Sequence, residues 1–332
     1  MSPVTVGVDV GGTKVAAAAV EGTKALDRLE RPTDLNSSGA VVEQIEAVAR
    51  EALSHAPEAE AVGVGVPSQI DFETGEVIAS VNIPLRGVRL REELERKLNL
   101  PVFVDNDGNV AAMAELHLFD EPDIRHLIML TLGTGVGGGV VIDRHIFRGA
   151  TGRGAELGHI VVQADGPECP GDCPNHGCLE AYCSGLALER DATALGKEKP
   201  DSGLGRVVRE RDGRCRGRDA VELAREGDLE AVQLLQRLGT YLGVGMTSLM
   251  NAFEPEMIVI GGGLGQAADL FLNRAIEETK SRVLPALEPR VRVERALGGP
   301  DAGVIGAGLL AAHEHKRAGG HTPEETIKEG AL

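Results

Sequence analysis

The sequence predicts an α/β protein of two similar units facing each other across a cleft, and three observations carry that expectation. A strand, a glycine-rich turn and a second strand occur twice, as VTVGVDVGGTKVAAAAV from Val4 and as HLIMLTLGTGVGGGVVI from His126. Each pair belongs to a half in which apolar strands alternate with amphipathic helices. At 332 residues the chain has room for one large domain or two ordinary ones. Two such units with opposed glycine turns enclose a concave space, a common place for a small ligand.

Along the first half, ALDRLERPT reads as a third strand. VVEQIEAVAREALSHA sets Val41, Ile45, Val48 and Ala52 on one helical face, with Ser38 placed to cap it. A strand (AVGVGVP), a charged amphipathic helix (LREELERKL), a strand (PVFVDND) and a helix (NVAAMAELHL) follow. The second half closes with the strand MIVIGGG, the helix QAADLFLNRAIEETKSRV, the strand RVRVERA and the helix VIGAGLLAAHEHK. Residues 198–218 are polar and read as a loop-rich insertion. The expected organisation is a smaller unit of residues 1–118 with about 302–318, a larger unit of 119–301, and a solvated tail at 319–332.

The net charge of −17 argues against broad contact with nucleic acid, which needs a basic stripe. The N-terminal MSPVTVGVDV has no basic and apolar leader pattern, and no apolar run approaches the ~18 residues that span a bilayer. These features predict a soluble, cytoplasmic protein without a membrane partner. Four of the five cysteines lie within CPGDCPNHGCLEAYC, residues 169–183. In a reducing compartment such a cluster points to metal ligation or catalysis more than to disulfides.

In DVGGTK, Gly11 and Gly12 permit a tight turn with positive φ, and N–H groups beside Thr13 and Lys14 could cradle a phosphate. A plain hairpin turn is the alternative. The spacing is not that of a Walker A loop. Asp9, at the strand end, could hold Mg²⁺ through water or hydrogen-bond the turn. Gly133, Gly135 and Gly138 form a literal G-x-G-x-x-G, but it leads into a strand instead of a helix, which argues against a dinucleotide site. Asp107, between a buried strand and a helix, is either an N-cap or a base that orients a hydroxyl and takes its proton. The helix N-terminus is expected to keep it ionised. His159 with Cys169, Cys173 and Cys178 makes a Cys₃His set suited to tetrahedral Zn²⁺. A disulfide, His176 in place of His159, and reactive thiols are the alternatives. Cys183 is expected to be a small buried residue.

The ordered set GVDVGGTK, VDNDGNVAAMAE, LGTGVGGG, GAELGHI, GCLE and VIGGGLG resembles the ROK family of bacterial sugar kinases and regulators, within the actin and hexokinase superfamily. The resemblance covers nearly the whole chain and implies two ribonuclease-H-like domains of the actin/hexokinase type. It implies Mg-ATP as cofactor, with Thr13, Lys14, Thr134 and Gly135 near the phosphates and Gly262 and Gly263 near the adenosine. Asp9, Gly11, Gly12 and Gly133 complete that set. Asp107 becomes the general base, Asn106 a sugar contact, and Asn82, Glu156, His159 and Glu180 further sugar contacts. The family's usual cysteine spacing is C-x-C-x₄-C, against C-x₃-C-x₄-C here. A structural zinc would fix Cys178 and with it Glu180, shaping the sugar pocket without doing the chemistry.

The implied activity is ATP-dependent phosphorylation of a hexose at its 6-hydroxyl, foremost glucose to glucose 6-phosphate. N-acetylhexosamines and fructose are the alternative acceptors, and a homodimer or homotetramer is implied. The family's regulators carry a winged helix-turn-helix ahead of the first glycine turn, whereas this chain starts almost directly with VTVGVDVGGTK. Ser68, Leu85, Arg86 and Gly108 depart from the family's usual residues.

Overall fold

The computed structural model describes residues 3–80, 82–170 and 173–319. The first glycine turn joins β1 (Val4–Val10) to β2 (Lys14–Glu21), and β3 (Lys24–Pro32) completes an antiparallel meander. Helix α1 (Ser38–His55) leads to β4 (Val62–Val66), every residue of which is buried. A hairpin of β5 (Ser68–Asp71) and β6 (Glu76–Ser80) stands apart as a small second sheet. Then come α2 (Leu90–Leu98), β7 (Val102–Asn106) and α3 (Asp107–Leu118). The sheet order is β3-β2-β1-β4-β7, with β1, β4 and β7 parallel.

The second half repeats this plan. Strands β8 (Leu127–Leu132), β9 (Val136–Ile142) and β10 (His145–Ile146) form the meander. Five helices follow: α4 (Glu180–Cys183), α5 (Gly185–Glu198), α6 (Gly203–Glu210), α7 (Gly217–Arg225) and α8 (Leu229–Phe253). Strand β11 (Met257–Gly261), α9 (Leu272–Arg282), β12 (Val293–Arg295) and α10 (Ala302–Arg317) close the chain. The order β10-β9-β8-β11-β12 matches the first sheet strand for strand. Helix α10 lies on the first sheet. A side chain at Gly7 or Gly63 would collide with the α10 backbone at Val304 or Ala307, so helix and strands touch main chain to main chain.

Several expectations change. Ser37, not Ser38, caps α1, its Oγ accepting from Ala40 N–H at 3.1 Å. The run 266–283 is not one helix: a 3-10 segment (Leu264–Leu270) breaks at buried Phe271, and α9 begins after it. Residues 198–218 are not mainly loop. Ser202 caps α6 through Gly205 N–H, burying Leu204 and Val208, so the polar composition reflects a helix with one apolar face. The 25-residue α8 was hidden because Gly239 and Gly243 break its apolar pattern. Those glycines let α9 approach: the backbone of Phe271, just before α9, and of Ala275 within it occupies the space of their side chains. Of the expected solvated tail, residues 320–332 lie outside the described residues. Among the described residues no helix is long and apolar enough to cross a membrane.

Candidate active site and metal cluster

Strand β7 ends where α3 begins, and that corner presents Asn106 and Asp107. Asn106 is the helix cap: its Oδ1 accepts from Gly108 N–H at 2.8 Å while its Nδ2 donates to the Ser68 carbonyl at 3.2 Å. Asp107 is the first helical residue, and its Oδ1 also takes Gly108 N–H, at 2.9 Å. The N-cap alternative for Asp107 is therefore corrected, since its neighbour holds that role. The helix end does not act alone on Asp107, whose carboxyl is harder to ionise than an ordinary one. Asp107 is exposed, yet the protein around it desolvates its carboxyl. That desolvation, with the charges of Asp9 and Glu156, outweighs the Gly108 N–H and lifts the carboxyl to about 6.

Asp105, the preceding acid, is not available as a base. It is buried and its carboxylate is saturated by Arg148 Nε at 2.8 Å, Asn109 Nδ2 at 2.8 Å and Asn106 N–H at 2.8 Å. Helix α3 starts against β9: a side chain at Gly108 would strike the Gly138 carbonyl, and one at Gly139 would strike Gly108. The glycine run of β9 thus admits α3, and the same contact accounts for glycine at 108.

The first glycine turn is braced by Thr33, whose Oγ1 donates to the Gly11 carbonyl at 2.6 Å and whose N–H donates to Thr13 O at 3.0 Å. Neither Gly11 nor Gly12 has positive φ, contrary to expectation. A side chain on Gly12 would only touch Asn82, so the glycines keep this backbone uncovered. Asn82 is exposed beside the turn. Lys14 Nζ pairs with Glu30 at 2.8 Å. Asp9 lies against Gly303 in the first turn of α10; burial raises its pKa, with Lys14 and Arg28 opposing.

The second turn is held from the metal-loop side. Gly133 O accepts from Gly185 N–H at 2.8 Å, Thr134 O from Leu186 N–H at 3.3 Å, and Glu180 Oε2 from Val136 N–H at 2.7 Å. The Glu180 carboxylate occupies the space a side chain at residue 135 would need, so one there would push it off the Val136 N–H. Gly262, with φ of 83°, presses on the Leu132 backbone, setting the third glycine element beside the second, and Gly263 is uncovered. On the other wall, Glu156 opens a 3-10 turn (Leu157–His159) and accepts from Gln69 Nε2 at 3.3 Å.

The ligand atoms of His159, Cys169, Cys173 and Cys178 all lie within 4.8 Å of one another. His159 Nδ1 is 3.5 Å from Cys169 Sγ, and Cys173 Sγ is 3.9 Å from Cys178 Sγ. Metal–ligand bonds of ~2.3 Å to sulfur and ~2.0 Å to nitrogen give tetrahedral edges of about this length. Sulfurs so far apart are not a disulfide, for which ~2.05 Å is required. Burial and neighbouring sulfurs push the Cys169 and Cys178 thiols up, so deprotonating the set calls for a cation. The long first spacing does not displace Cys169. Cys183 is buried apart, its Sγ near Leu238 O.

Sequence reasoning did not single out Gln69, Thr33 or Arg148. Each acts on a partner far along the chain, and no local pattern marks it.

Comparison with known proteins identifies the family and the fold. A family model described as "ROK family" matches residues 5–314. A glucokinase of Halalkalibacterium halodurans is 35% identical over 315 residues, covering 93% of this chain and 95% of that one. The ROK hexokinase structure from Thermus thermophilus superposes with a TM-score of 0.83 at 35% identity, over 95% of this chain and 99% of that one. A ROK family glucokinase from Streptomyces griseus, solved with glucose and AMPPNP, gives 0.78 at 32% identity, over 93% and 99%. The paired sheets are therefore those of the actin/hexokinase-type fold, and the chain belongs to the ROK family.

Proposed function

We propose that this chain is an ATP-dependent hexose kinase that phosphorylates the 6-hydroxyl of glucose. The observation that carries the reading is the β7–α3 corner: Asp107 is exposed while the neighbouring acid Asp105 is buried and committed to holding the corner's shape. The Streptomyces griseus glucokinase, solved with glucose and AMPPNP, supports a sugar and a nucleotide sharing such a cleft.

In this reading residues 1–118 with about 302–318 form one lobe and 119–301 the other. Asn82, Asn106, Glu156, His159 and Glu180 would hold the sugar. The backbone at Gly11, Gly12, Thr13, Lys14, Gly133, Thr134 and Gly135 would surround the ATP phosphates, with Gly262 and Gly263 at the adenosine. Asp9 would hold Mg²⁺ through water. Asp107 orients the 6-hydroxyl and accepts its proton as the oxygen bonds to the γ-phosphorus and the bond to the β,γ-bridging oxygen breaks. ADP leaves with that electron pair, and no covalent enzyme intermediate is needed. Bound zinc would cross-link His159, Cys169, Cys173 and Cys178; with four protein ligands it activates no water. A cytoplasmic homodimer or homotetramer completes the reading.

The test is a coupled assay with Mg-ATP against glucose, mannose, fructose and N-acetylhexosamines, with zinc measured on the same sample. Preference for glucose at about one zinc per chain supports the reading. Faster turnover of an N-acetylhexosamine or fructose reassigns the acceptor, and no turnover by folded, zinc-loaded protein overturns the kinase assignment.

A further inference from the structure

We infer that Arg148 is a positioning residue for phosphoryl transfer, fixing the β7–α3 corner that carries Asn106 and Asp107; this rests on the kinase reading above. Arg148 follows β10, in the chain of the second sheet, and has only 12% of its side chain exposed. Its Nε donates to Asp105 at 2.8 Å, and its Nη2 donates to Glu314 of α10 at 3.0 Å. The guanidinium carbon also lies 3.5 Å from the centroid of the Phe72 ring, just past the β5 strand. One side chain thus gathers four segments: the end of β7, the β5–β6 hairpin, α10 and its own loop.

The chemistry of this contact goes beyond packing. Asp105 is 2% exposed, and burying a carboxylate is costly unless it is paired and hydrogen-bonded. Here one oxygen serves Arg148 and the other accepts both the Asn106 N–H and the Asn109 amide. Those two bonds span the junction from the last strand residue to the first turn of α3, so they set the direction in which Asn106 and Asp107 leave the backbone. Glu314 is likewise committed: although burial opposes it, His313, Arg148 and Arg317 hold its carboxyl down at about 2. Without Arg148, buried Asp105 loses its charge partner and the contact that links β7 to α10, and the corner loses its brace. Misplacing a reacting group by about 1 Å costs about a hundredfold in rate.

Arginine is specific here. A lysine keeps the charge, but a single ammonium cannot present a flat fork to Asp105 and Glu314 while stacking on Phe72. The reach across both sheets also places the brace where the two halves meet, so it holds the acceptor corner in register with the chain that leads to Glu156 and His159.

The experiment compares Arg148→Met, Arg148→Lys, Asp105→Asn and the Arg148→Met/Asp105→Asn double variant with the parent, using glucose or the hexose the panel selects. Ile45→Ala, in the buried face of α1, serves as a destabilised control. The expected result is kcat lower by about 30–100-fold in Arg148→Met, with both KM values within about threefold and zinc content unchanged. Arg148→Lys recovers less than half of that loss on a logarithmic scale. The double variant loses no more than the worse single one, because the two residues act as a unit. Amide exchange in the peptide spanning 102–110 speeds up in Arg148→Met but not in Ile45→Ala at a matched melting temperature. If Arg148→Met does not fold, Arg148→Lys carries the same comparisons. Turnover and exchange at parent levels in the folded Arg148 variants, or kcat losses matched by Ile45→Ala, overturn the inference. Asp107→Asn is assayed alongside: parent-level turnover there overturns the base assignment itself, whereas a dead Asp107→Asn with unaffected Arg148 variants overturns only the role of Arg148.

Discussion

Asp107 stands where desolvation and two neighbouring acids resist its charge, yet a base has to be charged to accept a proton. Its carboxyl sits at about 6 against an ordinary 3.8, so near neutral pH it is ionised and still basic enough to be useful. kcat/KM should rise with pH through about 6 and level off above it, which a pH–rate profile of the parent will register. Asp107→Asn should lower kcat by about 10²–10⁴-fold while equilibrium binding of glucose persists. The same shift has a stability consequence. A carboxyl with a raised folded pKa favours the fold when protonated, a contribution complete below 3.8 and lost as pH rises through about 6. Asp107→Asn, neutral at every pH, should therefore melt above the parent at pH 8, with the gap shrinking by pH 5. A melting temperature unchanged or lower at pH 8 would show that the site imposes no such strain.

At the scale of elements, the metal loop and the second glycine turn behave as one body. Cys178 is followed closely by Glu180, which accepts from Val136 N–H, and the α5 N-terminus donates to Gly133 and Thr134. In the proposed reading, zinc held by this cluster would brace the turn assigned to the ATP phosphates as well as a residue assigned to the sugar. Removing the metal with a chelator, or Cys173→Ser, should raise KM for ATP along with KM for the sugar and lower the melting temperature. A rise confined to the sugar would separate the two elements. Gly135→Ala should push Glu180 off the Val136 N–H and cost about 1–3 kcal/mol of stability, the range for losing a hydrogen bond to a charged group. It should also weaken both substrates, whereas Gly263→Ala, whose new methyl group meets nothing in the protein, should leave stability unchanged in thermal denaturation.

For the whole molecule, two sheets of one topology are joined by α3 and α10, helices that contact strands through glycines with almost no side chain between them. Such contacts are stiff, so relative motion of the halves is expected to leave these helices packed and to alter the cleft walls, where Gln69 meets Glu156 at a long 3.3 Å. Glucose together with a non-hydrolysable ATP analogue should lower the radius of gyration in solution scattering, and neither ligand alone should reproduce the full change. A radius indifferent to both would mean that the site is preformed and water is excluded by the ligands themselves.

Much of this was legible in the residues. The duplicated strand–turn–strand pattern gave two matching sheets because period-2 apolar runs and glycine punctuation are local properties. The histidine and three cysteines were recognisable because ligand type and short spacing are local too. Asp107 was identifiable as an acid at a strand-to-helix corner. What the sequence could not determine was the state of that acid: its charge depends on Asp9 and Glu156, which are distant in the chain and adjacent only after folding. The same holds for Asp105, whose partner Arg148 is 43 residues away, and for Glu180, 44 residues from the amide it accepts. Composition and periodicity determined which elements form and in what order. Tertiary structure alone decided which carboxylates are neutralised, which are braces and which one is left free, because electrostatic and hydrogen-bond energies depend on distance in space and not on distance along the chain.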